Sequence, residues 1–271
     1  MAVDPVWNCP FCRQGLRFNE SGKSWSCENN HSFDCAREGY VNLLPSNKKR
    51  SSDPGDNAEM IAARRRIHTA QIYQPLAQAV QAELADLKPI TRILDLGCGE
   101  GYYSDALQQA KPEARICAVD ISRPAIKLAA KNYPAVNFAV ASTFALPVAS
   151  ESQDLLVRIF APSDGAEILR VLRQEGVYLE VTPAPGHLWA LREALYDTPR
   201  AHAATREELE GMSLLKSSTV DFEVDMGQAL LRDLVAMTPF AHRGHREKRE
   251  QLLALDSLTV EMAFSICLFK K

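Results

Sequence analysis

The sequence predicts an α/β fold: a mostly parallel, doubly wound sheet with one antiparallel edge strand, preceded by a small metal-stapled module. Three observations carry that expectation. From residue 90 onward, short apolar runs alternate with amphipathic stretches, the pattern of strands joined by crossover helices. The first of those strands runs straight into a glycine-rich turn that opens a helix, the arrangement by which such sheets approach a ligand at their carboxyl edge. Four of the seven cysteines crowd into the first 35 residues, a distribution that fits a metal site better than a disulfide framework.

The 271 residues suffice for one full-sized domain and an accessory module. Hydrophobic residues make up 46% and charged residues 24%, which excludes a disordered or fibrous chain. No segment approaches the roughly 20 apolar residues needed to span a bilayer, and Met1–Pro10 lacks the basic-then-apolar order of a signal peptide. A cytoplasmic protein with no membrane partner is expected. A net charge of −3 excludes a surface that coats nucleic acid everywhere, so RNA contacts must come from local basic patches.

Residues 1–42 hold too few aliphatic side chains in any periodic pattern to form a core of their own, and something must staple them. Residues 43–57 are polar, basic and broken by prolines, and read as a linker. The second domain is expected over 58–271. Its pattern turns helical from Asn57 to Leu87, with Pro75 starting a second helix at Gln74 or Pro75. Strands follow at ITRILDLG, RICAVDIS, VNFAVAS, DLLVRIFAP and GVYLEVTP, and helices at GYYSDALQQA, RPAIKLAAKNY and AEILRVL. Gln228–Met237 is helix-like, and TVEMAFSICLF reads as the late antiparallel strand.

In the amino-terminal module, Cys9-Pro-Phe-Cys12 is followed after fourteen residues by Cys27, and Cys27-Glu-Asn-Asn-His31 completes the set. Two ligand pairs brought together by a hairpin are what a tetrahedral zinc site requires; three thiolates and an imidazole leave no open position, so Zn2+ here is structural. Cys35, four residues past His31, is the alternative fourth ligand. Cys98, Cys117 and Cys267 lie in a turn or in apolar strands and read as small packing residues.

The strand ending in Asp95 leads into Gly97-Cys98-Gly99-Glu100-Gly101, and a second strand ends in Asp120, 25 positions later, where an acid can hold ribose hydroxyls. Both acids could instead simply cap helices. DLGCGEG and AVDIS resemble the donor-binding motifs of the Rossmann-like class I S-adenosylmethionine-dependent methyltransferases. The dinucleotide fingerprint spaces its glycines differently: here the third comes one position early. The resemblance implies that Asp95 faces the methionine amino end of the donor, that Gly97, Gly99 and Gly101 give it room, and that Asp120 takes the ribose. Where many relatives carry an adenine-binding acid, this chain has Ala141-Ser142-Thr143, leaving adenine to the backbone or to Ser142.

The run CPxC…C…HxFDxAxEGYVNLL, with SxDPGDxAEM, YQPL, DLGCGEGYY and MTPF, resembles the bacterial large-subunit rRNA guanine-N1 methyltransferases over nearly the whole chain. That resemblance implies methyl transfer from S-adenosylmethionine to N1 of a guanine in a hairpin of domain II of 23S rRNA, by a homodimer. It assigns zinc to Cys9, Cys12, Cys27 and His31, and donor contacts to Tyr73, Gly99, Glu100 and His187. Phe160, at the end of DLLVRIFAP, is placed either to stack on the flipped guanine or in the core. His187, Glu180 and Asp164 are candidates for the base that takes the N1 proton. Lys48-Lys49-Arg50, Arg64-Arg65-Arg66 and the basic run 242–249 are candidates for phosphate contacts or else solvated faces, the latter favoured for the third run because Glu247 and Glu250 interrupt it. Arg13, Arg17, Trp25 and Arg37 of the module offer charge and stacking to RNA. Methylation of a small molecule or another RNA is the competing expectation; it would need neither the zinc module nor the basic clusters.

Overall fold

The computed structural model describes residues 6–21, 23–45, 55–203, 209–238, 240 and 245–271. Lys48-Lys49-Arg50 and His242-Arg243-Gly244 lie outside them, as does most of the 43–57 linker. In the amino-terminal module, β1 (Arg17–Asn19), β2 (Ser24–Ser26) and β3 (Ser32–Asp34) form a three-stranded antiparallel sheet. The strands themselves bury almost nothing. The next two-residue strand, β4 (Val41–Asn42), belongs to the main sheet, where it pairs parallel with a strand of the second domain. The polypeptide that the sequence assigns to the module therefore already contributes the edge of its neighbour.

Two helices follow, α1 (Ala58–Thr69) and α2 (Gln74–Ala85). Asn57 caps α1 by accepting from the Met60 N–H, and Pro75 sits in the first turn of α2, where its missing N–H costs nothing. The wound core is then β5 (Arg92–Leu96), α3 (Tyr102–Ala110), β6 (Arg115–Asp120), α4 (Arg123–Asn132), β7 (Asn137–Val140), β8 (Gln153–Ile159), α5 (Gly165–Val171) and β9 (Leu172–Pro183). The chain continues through α6 (Trp189–Leu195), β10 (Ser213–Gly227), α7 (Gln228–Ala236), α8 (Arg246–Leu253) and β11 (Ser257–Lys270). The eight-stranded order is β10-β11-β9-β8-β5-β6-β7-β4. β11 is the expected reversed strand, and β10 flanks it on the outside, antiparallel to it and so aligned with the rest. The alternation Val220, Phe222, Val224, Met226 marks β10 in the sequence and was open to reading as a strand.

Successive residues of the central strands point to opposite faces. Ile93, Ile116 and Ala118 join the larger core under α2, α3 and α4, whereas Leu94, Leu96, Cys117 and Val119 join a second cluster. That second cluster contains Ile168 and Val171 of α5, and also Trp7, Leu16, Val41 and Leu43. The zinc module thus covers part of the sheet that a doubly wound fold otherwise covers with helices. It is pinned there by the Asn8 N–H, which donates to the Pro147 carbonyl at 2.7 Å, and by Arg13, whose Nη1 donates to the Leu146 carbonyl at 3.1 Å. Arg13 is therefore a docking residue. Among the described residues no helix is long and apolar enough to cross a membrane.

Candidate functional site

At the carboxyl edge of the sheet lies a cleft of about 940 Å³, walled by α1, the turn after β5, the ends of β6 and β8, and the segment before α6. The turn is shaped by its neighbours. Gly97 has φ +73°, and a Cβ there would sit 2.3 Å from that of Ala161; Gly101 has φ +90°, and its Cβ would meet Tyr133 at 2.8 Å. Both are glycine because the protein fills the space, whereas Gly99 faces the cleft, its nearest neighbour the Arg64 guanidinium at 3.4 Å. Of the three glycines expected to make room for ligand, Gly97 and Gly99 line the cleft and Gly101 does not.

Asp120 lines the cleft, with its carboxylate oriented by the Gly99 N–H at 2.9 Å and the Ser122 N–H at 2.7 Å. Burial raises its pKa against those two bonds. Asp95 is buried behind the turn, accepts from Ser104 Oγ at 2.6 Å, and is pushed up to about 7 by desolvation. It does not reach the cleft wall. Glu100 is turned toward α1, bonding His68 Nδ1 and Arg65 Nη1, each at 2.7 Å. Its carboxylate locks α1 onto the turn, so only the backbone of Gly99-Glu100 is free to meet a ligand.

The three consecutive arginines divide. Arg64 pairs with Asp56 at 2.6 Å and projects into the cleft; Arg65 takes Glu100 and Tyr133 Oη; Arg66 makes a two-pronged pair with Asp233 at 2.6 and 2.8 Å. Helical residues point about 100° apart, and each direction here meets a carboxylate. The run expected to face RNA as a unit is therefore split: Arg65 is tied to Glu100, Arg64 lines the cleft, and Arg66 stays more than half exposed beside Asp233.

Phe160 stands 43% exposed at φ +56°, and Leu188 shares that left-handed conformation across the cleft. Non-glycine residues held there cluster at functional sites. Phe160 packs one side against the buried rings of Tyr73 and Phe264, with centroids 6.4 and 5.5 Å away, and leaves the rest of its ring exposed in the cleft. Tyr73 is buried yet forms part of the wall. His187 Nδ1 accepts from the Ala263 N–H at 3.3 Å, and burial lowers its pKa to about 3. Its neutral ring must carry the proton on Nε2, a donor and not a base. Glu180 is buried against Arg158 and Tyr178, and Asp164 caps α5 through the N–H groups of Ala166 and Glu167. Neither lines the cleft, which corrects their expected candidacy as bases.

The side chains missed from the sequence are His68, Tyr102 and Tyr103. His68 stacks on Tyr102 at 4.1 Å, and the buried Tyr103 hydroxyl in the cleft wall has no hydrogen-bond partner among the described residues. His68 follows Arg64 by four residues, the spacing of one helix face, and that signal was available. Ser142 lines the cleft as expected, its Oγ accepting from the Phe144 N–H.

In the module, Cys9, Cys12, Cys27 and His31 converge with their ligand atoms within 4.8 Å of one another. His31 Nδ1 lies 3.5 Å from Cys9 Sγ and 3.3 Å from Cys27 Sγ, and Cys12 Sγ lies 3.6 Å from Cys27 Sγ. Sulfurs about 2.3 Å and a nitrogen about 2.0–2.1 Å from a tetrahedral zinc are separated by about 3.5–3.8 Å, so the donor set fits the ion. Cys35 is outside this group, in a bridge to Val41.

Sheet order, glycine turn and ribose-side acid define a class I methyltransferase fold, here carrying a zinc ribbon. Residues 7–52 match the family model described as "RlmA, N-terminal", and residues 93–176 match that of a methyltransferase domain. A Micromonospora griseorubida protein named "Putative 23S rRNA (guanine-N(1)-)-methyltransferase" is 37% identical over 70% of this chain and 70% of its own. The Streptomyces fradiae 23S rRNA (guanine(748)-N(1))-methyltransferase is 35% identical over 69% of this chain and 66% of its own. The chain belongs to this 23S rRNA (guanine-N1)-methyltransferase family. Among solved structures, the YcgJ protein of Bacillus subtilis superposes at 16% identity with a TM-score of 0.50, covering 72% of this chain and 97% of that one; it shares the fold.

Proposed function

We propose that the protein transfers a methyl group from S-adenosylmethionine to N1 of a guanine in a domain II hairpin of 23S rRNA, acting in the cytoplasm as a homodimer. The observation that carries the reading is the pairing of the cleft at the carboxyl edge of the sheet with an exposed aromatic held at positive φ in its lining, in a chain that also holds a zinc-ribbon ligand set. S-adenosylmethionine supplies an electrophilic methyl group on a sulfonium. Asp120 holds the ribose hydroxyls, and its orientation is fixed before binding by the Gly99 and Ser122 N–H groups. Arg64, which lines the cleft beside the Gly99 turn while Arg192 and Arg200 line it elsewhere, is the cation suited to the methionine carboxylate, a role in place of the phosphate contact expected from sequence. Tyr73 and His187 close the cleft, His187 as a neutral Nε2–H donor. Phe160 offers its face to a base turned out of its stack, and holding that base in line supplies much of the rate.

Cys9, Cys12, Cys27 and His31 hold one structural zinc in this reading. Dimerisation rests on the family resemblance and on the exposed outer edge of β10, with Leu214 and Leu215 at its start. Incubation with unmodified 23S rRNA and labelled donor, followed by nucleoside mass spectrometry, should yield 1-methylguanosine. Arg64→Gln should weaken donor binding about tenfold, the scale of one charged contact. Label recovered in a small molecule or in another nucleoside overturns the assignment.

A further inference from the structure

A second, smaller pocket of about 470 Å³ lies where the module meets the methyltransferase domain, lined by residues 36–40 and by the start of α4. Three cations surround it: Arg37, Arg123 and Lys127. The tight turn from Ala36 to Tyr40, closed by the Gly39 N–H on the Ala36 carbonyl at 2.8 Å with Gly39 at φ +97°, presents Arg37 outward. The buried Tyr40 returns its hydroxyl to accept from Arg123 Nε at 3.2 Å. Lys127 is one turn of α4 beyond Arg123 and on the same face.

Among the described residues, one carboxylate serves this group. Glu38 Oε1 lies 3.7 Å from Arg37 Nη2 and 3.7 Å from Lys127 Nζ. These are loose pairs, with the Arg37 and Lys127 side chains 92% and 60% exposed, and such pairs contribute little. Among the described residues the pocket keeps a surplus of two positive charges, and two of its three cations are guanidiniums, whose forked donors suit phosphate oxygens. Its place in the chain matters too. Asp120 and Ile121 line the donor cleft and Arg123 lines the pocket, three residues on, a span of at most about 11 Å.

We infer that this pocket binds a backbone phosphate of the RNA strand that carries the target guanine, with Arg37 from the zinc module and Arg123 and Lys127 from the donor domain closing on it together. The inference rests on the rRNA reading above. It gives the module a function besides covering the sheet: its last turn supplies one side of an RNA clamp built across the seam.

The test is binding of a synthetic 23S rRNA domain II hairpin to the zinc-loaded full chain, by fluorescence anisotropy across a salt series. Arg123→Gln with Lys127→Gln should weaken binding about tenfold and make the log–log salt slope shallower by about one unit, the loss of one neutralised phosphate. Donor affinity should be unchanged. Glu38→Gln removes the competing carboxylate and should tighten RNA binding severalfold, an outcome that disruption of a merely structural ion-pair cluster would not give. Unchanged RNA affinity and slope in the double variant overturn the pocket, as does weaker binding by Glu38→Gln. Absence of 1-methylguanosine with the wild-type chain is a separate failure, of the functional reading, and leaves the binding comparison readable.

Discussion

The zinc module and the donor domain reach order by different physical means. In the donor domain, the central strands β5, β6 and β8 are buried almost throughout, and their side chains feed two apolar clusters on opposite faces. In the module, β1 and β3 are mostly exposed and β2 is half-buried. Its organised interior consists of the four ligands and the few side chains, Trp7 and Leu16 foremost, that press on the neighbouring domain. Small segments without a core need a metal for folding free energy. The difference shows that the module is folded from outside its own sequence hydrophobicity, by an ion on one side and a sheet on the other.

The largest expected effect comes from removing the ion. Structural zinc contributes an apparent ~10–16 kcal/mol in isolated fingers, so strong chelation or Cys27→Ser should unfold the module, detected as rapid proteolysis between residues 6 and 45. Because Trp7 and Leu16 belong to the second core cluster, the donor domain should lose thermal stability as well. A chelated chain whose donor domain melts unchanged would break the claim that the module serves as part of that domain's cover. Metal analysis of the intact chain should give one zinc.

On the other side of the comparison, the domain should be most sensitive where its backbone is forced. Gly97→Ala places a Cβ 2.3 Å from Ala161 at φ +73°; left-handed strain and overpacking together cost roughly 2–5 kcal/mol. Urea denaturation measures this, and donor binding should fall with it. A variant as stable as wild type would mean that the turn relaxes freely.

Asp95 gives a pH signature confined to the domain. Burial pushes its folded pKa up from the usual carboxylate range to about 7, so near neutral pH the native state holds a proton that the unfolded chain has released. Stability contributed by this group is therefore full below the unfolded value and declines as pH rises through 7. Asp95→Asn, which keeps an acceptor for Ser104, should abolish that decline; the difference in urea midpoint between variant and wild type should grow from pH 5 to pH 8. A difference that is flat with pH removes the buried proton.

The smallest effects sharpen the boundary of each site. Cys35→Ser should leave zinc content unchanged, since Cys35 stands outside the ligand group. Arg66→Ala breaks a pair whose arginine is 57% exposed and should leave the urea midpoint nearly unchanged, with no change in donor affinity, in contrast to Arg64→Gln.

Features with local causes were legible in the sequence. The period of the apolar runs, the glycine turn between β5 and α3, the cap at Asn57 and the C-x-x-C pair with its partners each depend on neighbours a few residues away, and such spacing is written in one dimension. The sequence alone therefore determined the fold class, the Cys/His cluster of the module and the position of the glycine turn at the end of β5. Tertiary structure decided which side of each residue counts. Arg64, Arg65 and Arg66 are identical as letters, and only packing of α1 against the turn, α4 and α7 sends them to the cleft, to Glu100 and to Asp233. Glu100 and Asp95 carry acids beside a donor site yet turn away from it, because a buried carboxylate takes the nearest hydrogen-bond donors, and those are set by elements far apart in the chain. The phosphate pocket has the same origin: Arg37 and Lys127 are 90 positions apart, and they share one carboxylate only because the module docks on the sheet.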